Sequence, residues 1–248
     1  MRIKVLTPIR KGGPLIWGRE LVLMLKNNGI DAYHIHSLPS IIATQLYTNV
    51  DIIHAAVPFI PIIQKKPYIL TIKGDYAKEQ NIWRSFYPEA IKRADIITIP
   101  SYYLKYTLSL GNAIVIPNAI NLEKYKTVSH RKRNIINLVT VTKFYFKAKA
   151  EGVQSIFDIL ANLSSEIRER IVYKVIGDGP YLCDVKKAAN KLDFKVTFTG
   201  MVNEPHMEFK NSDVFLYYSY HDNFPNAILE AMACGIPVIT NDIGAVKE

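Results

Sequence analysis

Short β-branched segments alternate with helical patterns along almost the whole chain, and this alternation limits the folds open to it. In residues 1–117 the predicted strands are Ile3–Thr7, Ala32–Ile35, Ile52–His54, Ile69–Ile72, Ile96–Ile99 and Ile114–Ile116. In residues 118–248 they are Ile135–Val141, Val172–Ile176, Val196–Phe198, Val214–Ser219 and Pro237–Thr240. Buried strands that alternate with helices build parallel sheets covered on both faces. We therefore predict an α/β fold of two doubly wound domains, residues 1–117 and 118–248.

The helices between these strands are marked by apolar residues at helical spacing and by glycines at their ends. The predicted helices are Trp17–Asn28, Ile82–Arg93, Tyr102–Leu110, Tyr181–Leu192 and Ala227–Cys234. The segment from Thr142, TKFYFKAKAEGV, reads as a loop after a strand, and Gly177–Pro180 reads as a tight turn into the next helix.

Two carboxylates, Asp222 and Glu230, lie eight positions apart across the connection from a strand to a helix. Pro225 suits the first helical turn, so the loop amides and the positive end of the helix face one spot that attracts phosphate. Carboxylates accept hydrogen bonds from paired hydroxyls, which suits a diol. A sugar joined to a nucleotide offers both groups.

The segment from Asp222 through Glu230 and AMACGIPVI resembles the E-x7-E signature of the retaining glycosyltransferases of family 4, with Asp in the first position. Further similar motifs follow the family's order along essentially all 248 residues: Gly12–Gly13, RADIITIPS, IPNAIN, VIGDGP and FTGMVN. The resemblance implies the GT-B architecture, in which two Rossmann-like domains face a cleft. It also implies transfer of a hexose from a UDP- or GDP-sugar to a hydroxyl, with the anomeric configuration retained.

The resemblance assigns roles to individual residues. Lys143 replaces the family's arginine on the diphosphate, and Lys147 or Lys149 replaces its lysine, although three lysines in a loop can also be a solvated surface. Asp222 would hold the donor sugar and Glu230 the ribose, so that Asp222, Lys143 and Glu230 are the predicted catalytic group. The remaining predicted donor-binding residues are Gly13, Gly200, Met201, Asn223, Phe224, Pro225, Asn226, Ala227 and Ile228.

The acceptor side is less well defined. Where relatives carry a T-x-H-G loop, this chain has Thr71-Ile72-Lys73-Gly74-Asp75, and we expect Lys73, Asp75 and His54 to face the acceptor. His34 and His36 share one face of a strand, but no third ligand is near in the sequence. With no D-x-D motif either, we predict neither a metal nor any other cofactor.

The basic residues are concentrated in the first domain. Residues 1–117 contain 14 lysines and arginines against 7 carboxylates, a net charge of +7, whereas residues 118–248 have a net charge of +2. This distribution favours an anionic acceptor or an anionic membrane surface, with general solubility as the alternative. Scattered basic residues without a recognition motif argue against nucleic acid.

No apolar run is long enough to span a bilayer, and the N-terminus does not read as a signal peptide. Two cysteines, Cys183 and Cys234, fit reduced thiols better than a disulfide. We expect a cytoplasmic protein, with peripheral contact at the inner face of the membrane as an option.

The chain stops at Glu248, within a region that resembles the family's G-G-x-x-E motif. Relatives continue beyond this point, so we expect either a fragment or a minimal form whose second domain lacks its last helices. Two other functions therefore stay open. One is a nucleotide-sugar-binding module without turnover, and the other is a nucleotide-sugar epimerase.

Overall fold

The computed structural model describes residues 1–8, 13–44, 49–61, 66–78, 82–125, 127 and 134–248. Within them the chain divides into two compact units, Met1–Pro117 with Glu248 (unit 1) and Asn118–Lys247 (unit 2). Each unit is built around its own parallel sheet.

Unit 1 contains a six-stranded sheet in the order β2-β1-β3-β4-β5-β6. Its strands are β1 (Arg2–Leu6), β2 (Asp31–Ile35), β3 (Ile52–Ala55), β4 (Tyr68–Thr71), β5 (Ile96–Ile99) and β6 (Ile114–Val115). Its helices are α1 (Gly13–Asn27), α2 (Leu38–Ala43), α3 (Tyr87–Arg93) and α4 (Tyr102–Thr107), with 3₁₀ turns at Tyr76–Lys78 and Ile82–Phe86.

Both faces of the unit 1 sheet are packed. One face packs α1 through Val22 against Ile3 and Val5. The other packs Ile41, Ala90 and Leu104, from α2, α3 and α4, in a cluster with the fully buried Tyr68 and Leu70 of β4. Because successive side chains of a strand point to opposite faces, every position of the central strands β1, β3 and β4 is buried or half-buried.

Unit 2 contains a five-stranded sheet in the order β11-β10-β7-β8-β9. Its strands are β7 (Ile136–Val141), β8 (Ile171–Ile176), β9 (Lys195–Gly200), β10 (Val214–Tyr217) and β11 (Val238–Thr240). Its helices are α5 (Lys147–Ala161), α6 (Ser165–Arg168), α7 (Leu182–Ala189) and α8 (Asn226–Ala233), with 3₁₀ turns at Leu122–Lys124 and Pro205–Asn211.

Helices α5 and α7 pack on one face of the unit 2 sheet, around Phe157, Tyr173 and Val185. Helix α8 packs on the other face, where Ile228 and Ala231 meet Phe215. All five strands are parallel, so the loops after β7, β8, β9, β10 and β11 lie along one edge of the sheet.

The predicted strands match the observed ones within a few residues, and the α/β fold class is confirmed. Two predictions need correction, and helices α2 and α6 were not predicted. The segment predicted as a loop becomes helix α5 from Lys147 onward. Ser37 caps α2 by accepting from the Ser40 amide. The predicted helix Ile82–Arg93 is a 3₁₀ turn followed by α3.

Candidate donor site in unit 2

The loop after β10 carries the first predicted carboxylate into a buried position. Asp222 accepts hydrogen bonds on Oδ2 from the Tyr217 hydroxyl and from the Lys149 Nζ, the latter at 2.7 Å. The side chains of Lys149 and Asp222 are only 20% and 13% exposed, so this is a largely buried ion pair.

Burial alone would favour the neutral acid at Asp222. The positive charge of Lys149 and the hydrogen bonds from Lys149, Tyr217 and the Asn223 amide outweigh it, so the pKa of Asp222 lies below its ordinary value. The same environment raises the pKa of Tyr217, through burial first and then through the charge of Asp222. At neutral pH the pair is therefore an ionised carboxylate and a neutral phenol that donates to it.

Helix α5 distinguishes the two candidate lysines. Lys149 reaches Asp222, whereas Lys147, with a side chain 72% exposed, pairs with Glu151 at 3.1 Å on the same helix. Residues two positions apart on an α-helix are about 200° apart around its axis, so Lys147 and Lys149 point in nearly opposite directions. The structure thus brings Lys149 to the predicted site and leaves Lys147 on the surface.

The second predicted carboxylate, Glu230, lies on α8 about one turn from the start of the helix. Burial raises the pKa of Glu230, and the positive charge of Lys143 opposes that rise. Lys143 is exposed and lies two residues beyond the end of β7. Each predicted carboxylate is therefore associated with one lysine: Asp222 with Lys149 in an ion pair, and Glu230 with the positive charge of Lys143.

Helix α8 begins at Asn226, one residue before its predicted start, and Pro225 precedes the first turn instead of lying in it. Pro225 is the N-cap, with an extended backbone and no N–H, and no side chain caps the helix. The Asn226 side chain instead accepts from Asn118 at 2.9 Å. The Ile228 amide donates to the Pro225 carbonyl, which leaves the amides of Asn226 and Ala227 for an anion, as a helix N-terminus favours.

The other predicted donor residues are only partly suited to contact a ligand. Asn223, Phe224 and Ala227 are half-buried in the loop and first turn. The side chain of Ile228 is buried between α8 and the sheet, and its amide donates to the Pro225 carbonyl at 3.0 Å. This arrangement does not favour its predicted contact with the donor.

The strands of the unit 2 sheet all end at the edge that carries the Asp222 loop. At that edge Gly200 is the last residue of β9, and Met201 follows it with 56% of its surface exposed. The Gly200 carbonyl accepts from the Gly177 amide at 2.9 Å, which joins the loops after β8 and β9. Gly177 and Gly179 have positive φ angles and lie against the backbone of Thr142 and Phe144, so the tight turn predicted there is observed and it supports the Lys143 loop.

Three residues that the sequence reasoning missed fix the shape of the Asp222 loop. Asn241, just after β11, accepts from the Ser219 amide and donates to its carbonyl. Gly244 has a φ of 58°, and a Cβ there would lie 2.3 Å from the Asp222 carbonyl oxygen. A Cβ built on Gly152 of α5 would lie 2.0 Å from the Tyr218 carbonyl oxygen. Only the adjacency of β10, β11 and β7 at one sheet edge could have indicated them.

The predicted acceptor-side residues lie in unit 1. His54 Nε2 is 2.7 Å from the Thr71 hydroxyl, and the Lys73 Nζ lies 4.6 Å from the centre of the Trp17 ring. Asp75 is buried, accepts from the Ala77 amide and pairs with Lys78, so it holds its own turn together. Its predicted role in orienting an acceptor hydroxyl is not favoured by this arrangement.

Gly13 is the exposed first residue of α1, and no atom of the described chain lies within 4 Å of a Cβ built on it. The rest of the predicted turn before it, Arg10 to Gly12, lies outside the described residues. Nothing in the packing of the described chain requires a glycine at position 13.

No described cluster of three or more His, Cys, Asp or Glu side chains is arranged to hold a metal ion. His34 and His36 stack with ring centres 5.2 Å apart, and His34 is hydrogen bonded to Thr7. Cys183 and Cys234 are both free. No helix among the described residues is long and apolar enough to cross a membrane.

Comparison with solved structures identifies the class of fold. The Anabaena protein Alr3699/HepE, solved in complex with UDP and glucose, superimposes with a TM-score of 0.75 at 15% identity, covering 100% of this chain and 82% of that one. The fold is GT-B, as predicted. At this level of identity the likeness establishes the fold alone.

Sequence comparison adds a family match for part of the chain. Residues 136–248 match the family described as "Glycosyl transferases group 1". The match confirms the predicted resemblance to glycosyltransferases within these residues.

Two curated relatives are similar at low identity. The N-acetyl-alpha-D-glucosaminyl L-malate synthase of Bacillus anthracis is 24% identical over 72% of this chain and 49% of its own length. The alpha-monoglucosyldiacylglycerol synthase of Streptococcus pneumoniae is 28% identical over 51% of this chain and 32% of its own. The matched regions thus span half or less of these relatives.

Proposed function

We propose that this protein transfers a hexose from a nucleotide diphosphate sugar to a hydroxyl acceptor, with the anomeric configuration retained. The buried, ionised Asp222 held by Lys149 and Tyr217, beside the uncapped start of α8, is the observation that carries the proposal. It combines an acceptor for sugar hydroxyls with a binding place for phosphate. The group 1 glycosyltransferase match and the UDP complex of the Anabaena protein support a nucleotide donor.

Lys143, Lys149 and the first amides of α8 stabilise the diphosphate. Charge grows on its oxygen as the bond to the anomeric carbon breaks, and fixed cations and N–H donors at that position lower the barrier. Since a lysine supplies a point charge without the planar fork of arginine, the two lysines act through charge rather than through paired hydrogen bonds.

Asp222 orients the hexose. A carboxylate offers about four acceptor positions, so the donors from Lys149, Tyr217 and Asn223 leave capacity for a sugar hydroxyl. Glu230 accepts from the ribose diol, and the positive charge of Lys143 opposes the rise in the Glu230 pKa that burial causes. Orientation of this kind lowers the entropic part of the barrier.

The acceptor oxygen bonds to the anomeric carbon on the face from which the diphosphate leaves. Its proton passes to the leaving diphosphate oxygen, so the nucleotide diphosphate and the glycoside are the only products. This sequence requires no protein base, and we propose that it requires no metal or other cofactor.

The test is a transfer assay with a panel of radiolabelled UDP- and GDP-sugars and hydroxyl acceptors, followed by NMR of the anomeric proton of the product. Retained configuration, with activity lost in Asp222→Asn and kept in the surface variant Lys147→Met, supports the proposal. Binding of a nucleotide sugar without any turnover would favour a binding module instead. An altered sugar nucleotide formed without acceptor would indicate an epimerase.

A further inference from the structure

A cluster of polar and aromatic side chains lies at one end of the unit 1 sheet and shares no residue with the donor site. We name Trp17, His54, Thr71 and Lys73 the unit 1 cluster. The Lys73 Nζ lies 4.6 Å from the centre of the Trp17 ring, and the Trp17 and His54 rings meet edge to face at 5.1 Å. A hydrogen-bonded chain runs from His54 Nε2 through the Thr71 hydroxyl to that of Thr98, at 2.7 and 2.6 Å.

The position of this cluster is one where ligands bind in open parallel sheets. β1 lies between β2 and β3, so the chain leaves β1 toward one side of the sheet and continues from β3 toward the other. Ligands of such sheets bind outside the carboxyl ends of the strands beside this change of direction. His54 is near the end of β3, and Lys73 lies two residues after β4.

The electrostatics of the cluster favour a negatively charged ligand. Burial lowers the pKa of Lys73 to about 8, so its amine is still mostly charged at neutral pH, although with reduced hydration. Burial and the charge of Lys73 lower the pKa of His54 to about 4, so the imidazole is neutral. The cluster therefore presents one partly desolvated positive charge beside two uncharged rings.

We propose that the unit 1 cluster binds the anionic group, a carboxylate or a phosphate, of the acceptor substrate. The Lys73 ammonium pairs with the anion, and the Trp17 ring contacts the adjoining carbon atoms of the acceptor. The assignment to an acceptor rests on the proposed transferase function and narrows its substrate to hydroxyl compounds that carry a negative charge. The net charge of +7 on residues 1–117 attracts the same ligands over longer distances.

A purely structural role for Lys73 is the competing explanation, because a lysine over an indole ring contributes by itself to stability. Trp17 provides a probe that separates the two. The chain contains two tryptophans, so Trp83→Phe leaves Trp17 as the sole indole reporter. In that background, inorganic phosphate and succinate are titrated at constant ionic strength, with glucose as the neutral probe.

We expect a saturable change in Trp17 fluorescence with phosphate or succinate and none with glucose. Lys73→Met should weaken the apparent affinity at least about tenfold, whereas Lys92→Met, which removes an exposed charge on α3, should leave it unchanged. Far-UV circular dichroism and urea unfolding of each variant confirm that it is folded. If Lys73→Met titrates like its parent, or if no saturable change occurs, the cluster is structural and the proposal is wrong.

A second experiment separates this proposal from the transferase function. Transfer is measured with matched acceptors that differ in charge, such as glycerol 3-phosphate against glycerol, and a hydroxy acid against its amide. Preference for the charged member by at least tenfold in kcat/KM, lost in Lys73→Met mainly through KM, supports the anion site. Equal transfer to both members overturns it while the function stands, and absence of transfer to every acceptor overturns the function.

Discussion

Replacing Lys149 with methionine should destabilise unit 2 because it leaves the Asp222 carboxylate buried without its cation. The two side chains are 20% and 13% exposed, and the Lys149 Nζ lies 2.7 Å from Asp222 Oδ2. Breaking a fully buried ion pair by removing one partner costs about 3–5 kcal/mol. Partial access of water and the remaining hydrogen bond from Tyr217 reduce this, so we expect a loss of about 2–3 kcal/mol in the free energy of unfolding.

Urea unfolding followed by circular dichroism measures the loss as a shift of the midpoint at constant slope. With a slope of about 2 kcal/mol per molar urea, the midpoint should fall by roughly 1 M. Lys147→Met is the matched control. It removes the same side chain from the same helix, but its partner Glu151 is exposed, so the change should stay below about 0.5 kcal/mol.

A double-mutant cycle checks that the cost arises from the uncompensated charge. Asp222→Asn keeps the shape of the side chain, and combining it with Lys149→Met removes both charges together. The loss of stability in the double variant should be smaller than the sum of the two single losses by about 1–3 kcal/mol. A Lys149→Met variant no less stable than Lys147→Met would refute the reasoning, as would strict additivity in the cycle.

Three further predictions follow from single contacts. Gly152→Ala should destabilise unit 2 by about 1–3 kcal/mol in urea unfolding, because its Cβ would lie 2.0 Å from the Tyr218 carbonyl oxygen, whereas Gly13→Ala should be nearly neutral. His54 has a pKa of about 4 in the folded protein, against about 6.5 when unfolded, so the unfolded state binds more protons between these values and stability should rise by about 2–3 kcal/mol from pH 4 to 6.5. A His54→Gln variant should lack this part of the pH dependence, and an unchanged profile would contradict the assignment. Glu230→Gln should weaken UDP binding about tenfold by calorimetry, since a charged acceptor of the ribose hydroxyls is lost; equal affinity would remove Glu230 from the site.

Local sequence patterns were sufficient to predict the strands, because a buried parallel strand requires a run of β-branched residues whichever elements pack against it. Helix α5 shows where such patterns fail. Its first turn has no side-chain cap, and Gly152 interrupts its helical composition. That glycine is needed because the helix packs directly on the Tyr218 backbone, a contact 66 positions away in the chain that no local rule contains.

The predicted site shows the same division. The spacing of Asp222 and Glu230 and the start of α8 follow from neighbouring residues, and they were predicted together with the resemblance to glycosyltransferases. The partner lysine could not be chosen, because the choice depends on which face α5 turns toward β10. Asn241 and Gly244 reach the Asp222 loop from beyond β11 in the same way.

The sequence by itself therefore determined the α/β class, the strands and the two carboxylates at a helix start, because each depends on composition and spacing within one segment. Only the tertiary structure decided that Lys149 is buried against Asp222 while Lys147 is exposed, and that Lys73 lies over Trp17 beside His54. These pairings join residues from separate strands and helices. Their energies depend on burial and on distance, and both exist only once the sheets have assembled.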